Sequence, residues 1–320
     1  MELAISSIKP LVIAIVGPTG SGKTELAVTL SEYLRSAEII SADSRQIYRS
    51  MDIGTAKPTT DQQHRCKHHF IDILDPDQEY SAGKFGITGQ EKVQQLLHAS
   101  TVPIICGGSG LYLKALFEGL APIPEISQEI RSKVRSMVKT EGNVYIYNLL
   151  TKVDPSYSNK TDATKTQRNC RALEVFFATG KPFSSFHGRS NASETSFQVI
   201  KIGLSMRRDA LYQRINLRVD KMIADGLVTE TSNLLKAGYT PEMKALRTVG
   251  YKECIQYLEG KISFDEMIRL IKQHTRNYAK RQLTWFTADK SIQWIDADPD
   301  ISKEQKIRSV LQFMNMDGPR

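Results

Sequence analysis

Short apolar runs set in longer amphipathic stretches give this chain its first outline. Residues 11–16, 39–40, 70–74, 102–106 and, much later, 199–204 read as buried strands. Several are separated by enough residues for a crossover helix, the arrangement of a parallel α/β sheet. Residues 23–35 carry Leu26, Ala27, Leu30 and Leu34 at helical spacing, directly behind the first run. From residue 121 to 196 the buried-strand pattern stops. Pro122 and Pro124 punctuate its start, and helical periodicity appears over 127–139, 144–152 and 166–179, so this stretch is expected to be a helical insertion that leaves the core and returns. After Leu204 the patterns are mostly helical: 209–224, 228–237, 251–258 and a long one over 263–286.

Between the first strand and its helix stands Gly17-Pro18-Thr19-Gly20-Ser21-Gly22-Lys23-Thr24. Strand, glycine loop and helix together turn the pattern G-x-x-x-x-G-K-[ST] into a phosphate cradle. The glycines let successive N–H groups point into one concavity, and the positive end of the helix reinforces them. Lys23 adds a point charge, and Thr24 can place its hydroxyl on a Mg²⁺ that bridges two phosphates. The expected fold is therefore α/β, with a P-loop NTPase-like parallel sheet core from residues 1–120 and 197–320. Residues 121–196 form the helical insertion domain, and the C-terminal part is helical.

Charge changes the picture of what is bound. The chain of 320 residues has a net charge of +8, but residues 1–120 hold 11 Lys+Arg against 13 Asp+Glu. Residues 121–196 hold 11 against 7, and 197–288 hold 16 against 9. The positive excess lies outside the half that carries the phosphate loop, which suits a polyanion such as nucleic acid. On the long helical pattern Arg269, Lys272, Arg276 and Lys280 stand at i, i+3, i+7 and i+11, one basic stripe flanked by Gln273, Asn277, Tyr278, Arg281 and Gln282. No apolar stretch approaches a membrane span. Cys66, Cys106, Cys170 and Cys254 are scattered without a C-x-x-C pair, which points to a reducing cytoplasm.

Asp43 follows the second apolar run, so parallel and adjacent strands would bring it to the same sheet edge as the phosphate loop. There its carboxylate could take a proton from a nucleophile or hold Mg²⁺ through water. The fourth run ends Ile105-Cys106-Gly107-Gly108-Ser109-Gly110, with no acid where an ATP-hydrolysing protein of this type usually has one. The loop is then better suited to hold a leaving group. His64, Cys66, His68 and His69 cluster, but their spacing fits no familiar zinc pattern.

At this point the residues resemble the tRNA dimethylallyltransferases, also called tRNA isopentenyltransferases. The resemblance rests on residues 17–24, on Ser41-Ala42-Asp43-Ser44-Arg45-Gln46-Ile47-Tyr48 and on Met51-Asp52-Ile53-Gly54-Thr55-Ala56-Lys57-Pro58. It continues in His68-His69-Phe70-Ile71-Asp72, Gly107 to Tyr112, Arg171-Ala172-Leu173-Glu174-Val175, and Thr275 to Gln282 with Thr284-Trp285-Phe286. The motifs run in order from about residue 11 to 287.

The resemblance implies transfer of a dimethylallyl group from its diphosphate to N6 of the adenosine 3′ of the anticodon, position 37, in tRNA. Diphosphate would leave from Gly17 to Thr24, with Arg214 and Arg218 as further contacts and Mg²⁺ at Thr24. Lys23, Thr24 and Asp43 would be catalytic. Asp43, Ser44, Arg45 and Gln46 would touch the flipped adenine. Ser109, Arg131, the run Gln167-Arg168-Asn169-Cys170-Arg171, and Arg276, Asn277, Tyr278 and Lys280 would contact the anticodon stem-loop. A monomer is expected. A free-nucleotide isopentenyltransferase and a small-molecule kinase are the competing readings; the insertion and its cations favour tRNA over a mononucleotide. The chain departs from the family pattern at Ser109, usually Thr, and at Thr164-Lys165, usually Asn-Asp. No Cys follows Cys254, so the zinc finger of eukaryotic relatives is absent and a bacterial or organellar type is implied.

Overall fold

A computed structural model describes residues 9–34, 36–187 and 196–314. Arg35, the end of the first expected helix, and residues 188–195, near the end of the expected insertion, lie outside the described residues. In chain order the elements are β1 (Leu11–Val16), α1 (Lys23–Tyr33), β2 (Ala37–Ser41), α2 (Thr60–Arg65), β3 (His68–His69), α3 (Ala82–His98), β4 (Val102–Gly107) and α4 (Gly110–Glu118). Then follow α5 (Gln128–Val153), α6 (Pro155–Ser158), α7 (Thr166–Thr179), β5 (Gln198–Ser205), α8 (Arg208–Ala224), α9 (Leu227–Lys236), α10 (Tyr251–Leu258), α11 (Phe264–Thr287), β6 (Ile292–Asp296) and α12 (Lys303–Phe313). Among the described residues no helix is long and apolar enough to cross a membrane.

The strands form one six-stranded sheet in the order β3-β2-β4-β1-β5-β6, every neighbouring pair parallel. Alternation along β1 explains why it sits in the middle. Val12, Ala14 and Val16 enter one core while Ile13 and Ile15 enter the other, all essentially unexposed. A strand apolar on both faces must be covered on both. Leu26, Val28 and Leu30 of α1 with Ile307 and Val310 of α12 cover one face; Phe85, Leu116, Tyr251 and Met267 belong to the other core. Burying each large aliphatic side chain contributes about 1.5–3 kcal/mol before conformational entropy is counted.

Three sequence expectations need correction. The premise that β1 and β2 are neighbours, which puts Asp43 beside the phosphate loop, does not hold, because β4 runs between them. As all three are parallel, both loops still leave the same edge. The run 70–74 is not a sheet strand: pairing with β2 stops at His69, and Phe70 and Asp72 take φ of 62° and 55°. Its backbone turns instead onto the 46–49 loop, with Ile73 N to Ile47 O at 2.9 Å and Arg49 N to Leu74 O at 2.8 Å. Phe70 and Leu74 still pack on the core, which is why the segment is apolar. Finally, β6 and α12 lie in the polar tail, where the sequence pattern predicts no element; β6 buries only Ile292 and Ile295 fully, a signal too short to stand out.

The chain divides into two compact units, Met1–Phe117 with Glu194–Arg320, and Glu118–Ser193. The second has its own core of Val134, Ile146, Leu150, Ala172 and Leu173, with the Tyr157 and Phe183 rings edge to face at 4.9 Å. Gly142 breaks α5 with φ 82°, so its two halves correspond to the separate expectations over 127–139 and 144–152. Asp154 closes the unit by accepting from Tyr157 N at 3.0 Å and from Ser184 N and Oγ at 2.7 and 2.6 Å.

Candidate active site

The turn after β1 depends on residues without a Cβ. Gly17, Gly20 and Gly22 have φ of 145°, 83° and 94°, values that favour glycine. The backbone can therefore fold back before α1 begins at Lys23. Lys23 is half-buried, and its Nζ donates to the Pro18 carbonyl at 2.7 Å. Burial pulls its pKa down to about 8; Cys106 and Asp43 act upward against this, and Arg218 adds to it. Arg218, on α8, is half-buried and is lowered by desolvation, with Asp43 opposing. One turn earlier the Arg214 guanidinium lies beside Gly22. Among the described residues no carboxylate stands within ion-pair distance of Lys23, Arg214 or Arg218. Three cations thus converge on the loop with charge to spare.

Asp43 is held by its own neighbours. Its Oδ1 accepts from Arg45 N at 2.8 Å and Gln46 N at 3.4 Å, an Asx turn that orients the carboxylate. Ser109 Oγ accepts from Ser44 N at 3.1 Å, tying this turn to the end of β4. Gln46 accepts from Ser41 Oγ at 3.0 Å and donates to Ala56 O at 3.1 Å. The Tyr278 phenol, hydrogen-bonded to Ser109, is pushed up to about 12 by burial and by Asp43. It stays neutral beside the carboxylate.

The acid-free end of β4 is a packed junction. Cys106 is buried, shares a hydrogen bond with Thr24, and has its thiol pushed up to about 11 chiefly by burial. A neutral group therefore stands against Lys23 where a carboxylate would have paired with it. Beyond it, a Cβ on Gly107 would run into the Ala42 carbonyl, and one on Gly108 into the Gln282 side-chain amide. Gln282, on α11, accepts from Thr19 N at 2.8 Å and donates to Gly108 O at 2.9 Å. It braces the phosphate loop, whereas the sequence pattern gives it only as a polar flank of the basic stripe.

These residues line a cavity of about 340 Å³. Lys23, Thr24, Asp43 and Arg218 face it together with apolar Val219, Met222, Val249 and Ile271. None of those four apolar residues stands out from sequence. A second cavity of about 380 Å³ adjoins it, walled by Tyr80, Leu111, Tyr112 and Trp285. Ser44, Arg45, Gly108, Tyr278 and Gln282 line both. Three buried side-chain atoms lack a partner among the described residues: Ser21 Oγ in the phosphate loop, and His68 Nε2 and Thr248 Oγ1 on residues that line the first cavity. Polar atoms that the fold leaves unsatisfied are gathered where a polar ligand would be bound.

The remaining sequence-selected residues lie elsewhere. On α11 Arg269 is held by Glu266 at 2.6 Å, Lys272 by Asp220 at 2.6 Å, and Arg276 by Asn216 at 2.7 Å; Asn277 and Lys280 are exposed. This basic stripe occupies the helix face opposite Tyr278 and Gln282, hence not the face that lines the cavities. In the second unit Gln167 and Arg168 lie on α7, Arg168 exposed, while Arg171 pairs with Glu174 at 3.4 Å and Arg131 lies in the first turn of α5. Asn169 is turned inward, its amide committed to Thr161 Oγ1 and Asp162 O, both at 2.9 Å. Cys170 packs on that unit's core. Thr164 N donates to Asp162 Oδ1 at 2.7 Å, so the Thr164-Lys165 departure sits in an Asx turn leading into α7. Near the sheet edge His69 Nε2 meets Glu38 at 2.5 Å and His68 Nδ1 meets Cys66 O at 2.7 Å. No group of three or more His, Cys, Asp or Glu among the described residues could hold a metal ion.

A parallel sheet with a glycine loop at the end of β1, converging cations and an oriented carboxylate defines an α/β protein with a P-loop-like core. The chain belongs to the IPP transferase family, whose model matches residues 46–289. It is 43% identical over 288 residues to a tRNA dimethylallyltransferase of Geobacter sulfurreducens, covering 90% of this chain and 92% of that one. To tRNA dimethylallyltransferase 1 of Syntrophotalea carbinolica it is 41% identical over 299 residues, covering 93% and 95%. Among solved structures, a tRNA isopentenylpyrophosphate transferase from Bacillus halodurans matches with a TM-score of 0.70 at 35% identity, over 96% of each chain. A eukaryotic dimethylallyltransferase acting on tRNA matches with a TM-score of 0.79 at 26% identity, over 97% of this chain and 80% of that one.

Proposed function

We propose that this chain transfers a dimethylallyl group from dimethylallyl diphosphate to N6 of the adenosine at position 37 of tRNA, releasing diphosphate. The observation that carries the reading is the mixed character of the first cavity. It has converging cations at the phosphate loop, an apolar wall of Val219, Met222, Val249 and Ile271, and Asp43. A five-carbon chain behind a diphosphate uses both the cations and the apolar wall. The bond from C1 to the diphosphate oxygen breaks with its electron pair going to diphosphate, and N6 forms the new bond to C1. Asp43 accepts the proton that N6 loses. Lys23, Arg214 and Arg218 stabilise the charge that develops on the leaving group. Their desolvation strengthens that effect.

Hard cations prefer oxygen, and the site offers the Thr24 hydroxyl and the Asp43 carboxylate without a full protein cage, which fits a Mg²⁺ that arrives with diphosphate. When bound it would neutralise part of the diphosphate charge. The second cavity, walled by aromatic rings, admits the flipped adenine; stacking on such rings replaces the stack it leaves. Gln167 and Arg168 on the insertion and Lys280 on α11 supply further contacts to the anticodon stem-loop. The unpaired cysteines fit the cytoplasm, and the enzyme acts as a monomer.

The test is incubation with radiolabelled dimethylallyl diphosphate, Mg²⁺ and either unmodified tRNA or adenosine monophosphate. Label is expected in tRNA. Label in the mononucleotide and not in tRNA would overturn the assignment.

A further inference from the structure

The segment from Met51 to Pro58 forms a wall of the first cavity through Gly54, Thr55, Ala56 and Pro58, yet it belongs to no helix or strand. Ala56 N and Lys57 N find acceptors inside the segment, at Ile53 O and Asp52 O, and its remaining N–H groups need partners from elsewhere. A single carboxylate meets three of them. Glu230, in the first turn of α9, accepts from Asp52 N at 2.9 Å and Ile53 N at 2.8 Å through Oε2, and from Gly54 N at 3.1 Å through Oε1. Oε1 also accepts from the buried Tyr251 hydroxyl at 2.6 Å, where α10 begins. The fit leaves no slack, since a Cβ on Gly54 would stand 2.5 Å from the Tyr251 ring. From its other side the segment is tied by Lys57, whose Nζ donates to Tyr48 O at 2.6 Å and pairs with Asp52 and Asp72.

The wall passes this constraint inward. Ala56 O and Thr55 O accept from Gln46 Nε2 at 3.1 and 3.4 Å, and Gln46 N in turn donates to Asp43 Oδ1. Hydrogen bonds joined through the 52–56 backbone and through Gln46 thus connect α9 to the carboxylate assigned as proton acceptor.

We propose that Glu230 is a positioning residue for prenyl transfer: it fixes the Asp52–Gly54 wall and, through Gln46, the orientation of Asp43. This rests on the reading of Asp43 and the first cavity given above. Glu230 touches no substrate, so its loss acts by misplacing groups, an effect that reaches about 10²-fold for displacements near 1 Å.

Glu230→Ala, Glu230→Asp, Glu230→Gln and Tyr251→Phe would be compared in steady-state transfer to unmodified tRNA. Melting temperature, tRNA affinity, and calorimetric binding of inorganic diphosphate with Mg²⁺ would be measured alongside. Glu230→Ala is expected to lower kcat about 10- to 100-fold and raise KM for dimethylallyl diphosphate, with tRNA affinity within about twofold. Glu230→Asp should resemble it, because a side chain one methylene shorter cannot reach three N–H groups and Tyr251. Glu230→Gln, which keeps the length and one acceptor, should recover part of kcat, and Tyr251→Phe should cost only about two- to fivefold. A lower melting temperature with unchanged kcat and KM for the folded fraction would overturn the proposal, as would full activity in Glu230→Asp. If the wild-type protein transferred no prenyl group the functional reading would fail. The diphosphate affinities of wild type and Glu230→Ala would still decide whether the wall is braced, equal values overturning the proposal.

Discussion

Among the described residues, Lys23 and Arg218 face the first cavity half-buried and with no carboxylate in ion-pair reach, whereas Arg269 and Lys272 on α11 have acids as partners. The same chemical groups are thus used in opposite ways. At the phosphate loop, burial keeps charge unpaired until an anion arrives, and each cation has one place to act. Along the helix, much of the positive charge counted from the sequence is already engaged by Glu266, Asp220 and Asn216. The stripe's four cations therefore overstate the charge that α11 itself offers to a polyanion; among the described residues Lys280 is the member of the stripe that is exposed without a carboxylate.

Substitutions can break this contrast at its strong end first. Asp43→Ala is expected to lower transfer about 10³-fold while tRNA affinity stays within about twofold, measured by label incorporation and filter binding. Equal loss of both would make Asp43 a binding residue. Lys23→Ala should cost about 10²–10³ in kcat by removing charge stabilisation from the leaving group. Its pH dependence has a definite sign. Lys23 titrates near 8 in the folded protein against an ordinary 10.5, with Cys106, Arg218 and Asp43 as its charged or titratable neighbours. The folded state releases the proton first, so stability rises between about pH 8 and 10.5 while diphosphate affinity falls as pH passes 8. Calorimetry across that range checks it, and Lys23→Ala should flatten the affinity profile. Cys106→Asp would place a carboxylate against Lys23 and is expected to weaken diphosphate binding about tenfold. Cys106→Ala should stay within about threefold. Smallest are the surface changes. Arg276→Glu with Lys280→Glu should weaken tRNA binding several-fold and lower the salt slope by about 0.7–0.9 for each phosphate no longer neutralised. An unchanged slope would remove α11 from the interface, and Lys272→Ala, whose charge is already paired, should leave the slope alone.

The parts of this molecule that read plainly from sequence are those whose physics is local. β1, the glycine loop and α1 follow from strand periodicity, glycine spacing and helix periodicity within about two dozen residues. The helices α7 and α10 have the expected limits because their apolar spacing and flanking residues specify them. What stays hidden depends on partners distant in the chain. Phe70 to Leu74 is apolar enough for a strand, but its backbone partner is the 46–49 loop and not the sheet. Gln282 and Glu230 are ordinary polar residues of amphipathic helices until the fold brings them to Thr19 and to the Asp52–Gly54 backbone. Asn169 reads as a surface polar group, yet Thr161 and Asp162 take both ends of its amide. No local pattern distinguishes these cases, since each is decided by which groups are left unpaired after packing.

The bond between Gln282 and Thr19 spans 263 positions. A ribosome adding roughly 5–20 residues per second delivers Gln282 on the order of ten to fifty seconds after the phosphate loop has been made. The neighbouring strand β5 also arrives late, well past the midpoint of that wait. During synthesis the N-terminal part therefore exists as a loop without its brace and a sheet without one of its central neighbours. The growing chain can therefore brace its phosphate loop only once Gln282 has been added, so the glycine loop and the helix that steadies it are completed together and not in the order of the sequence.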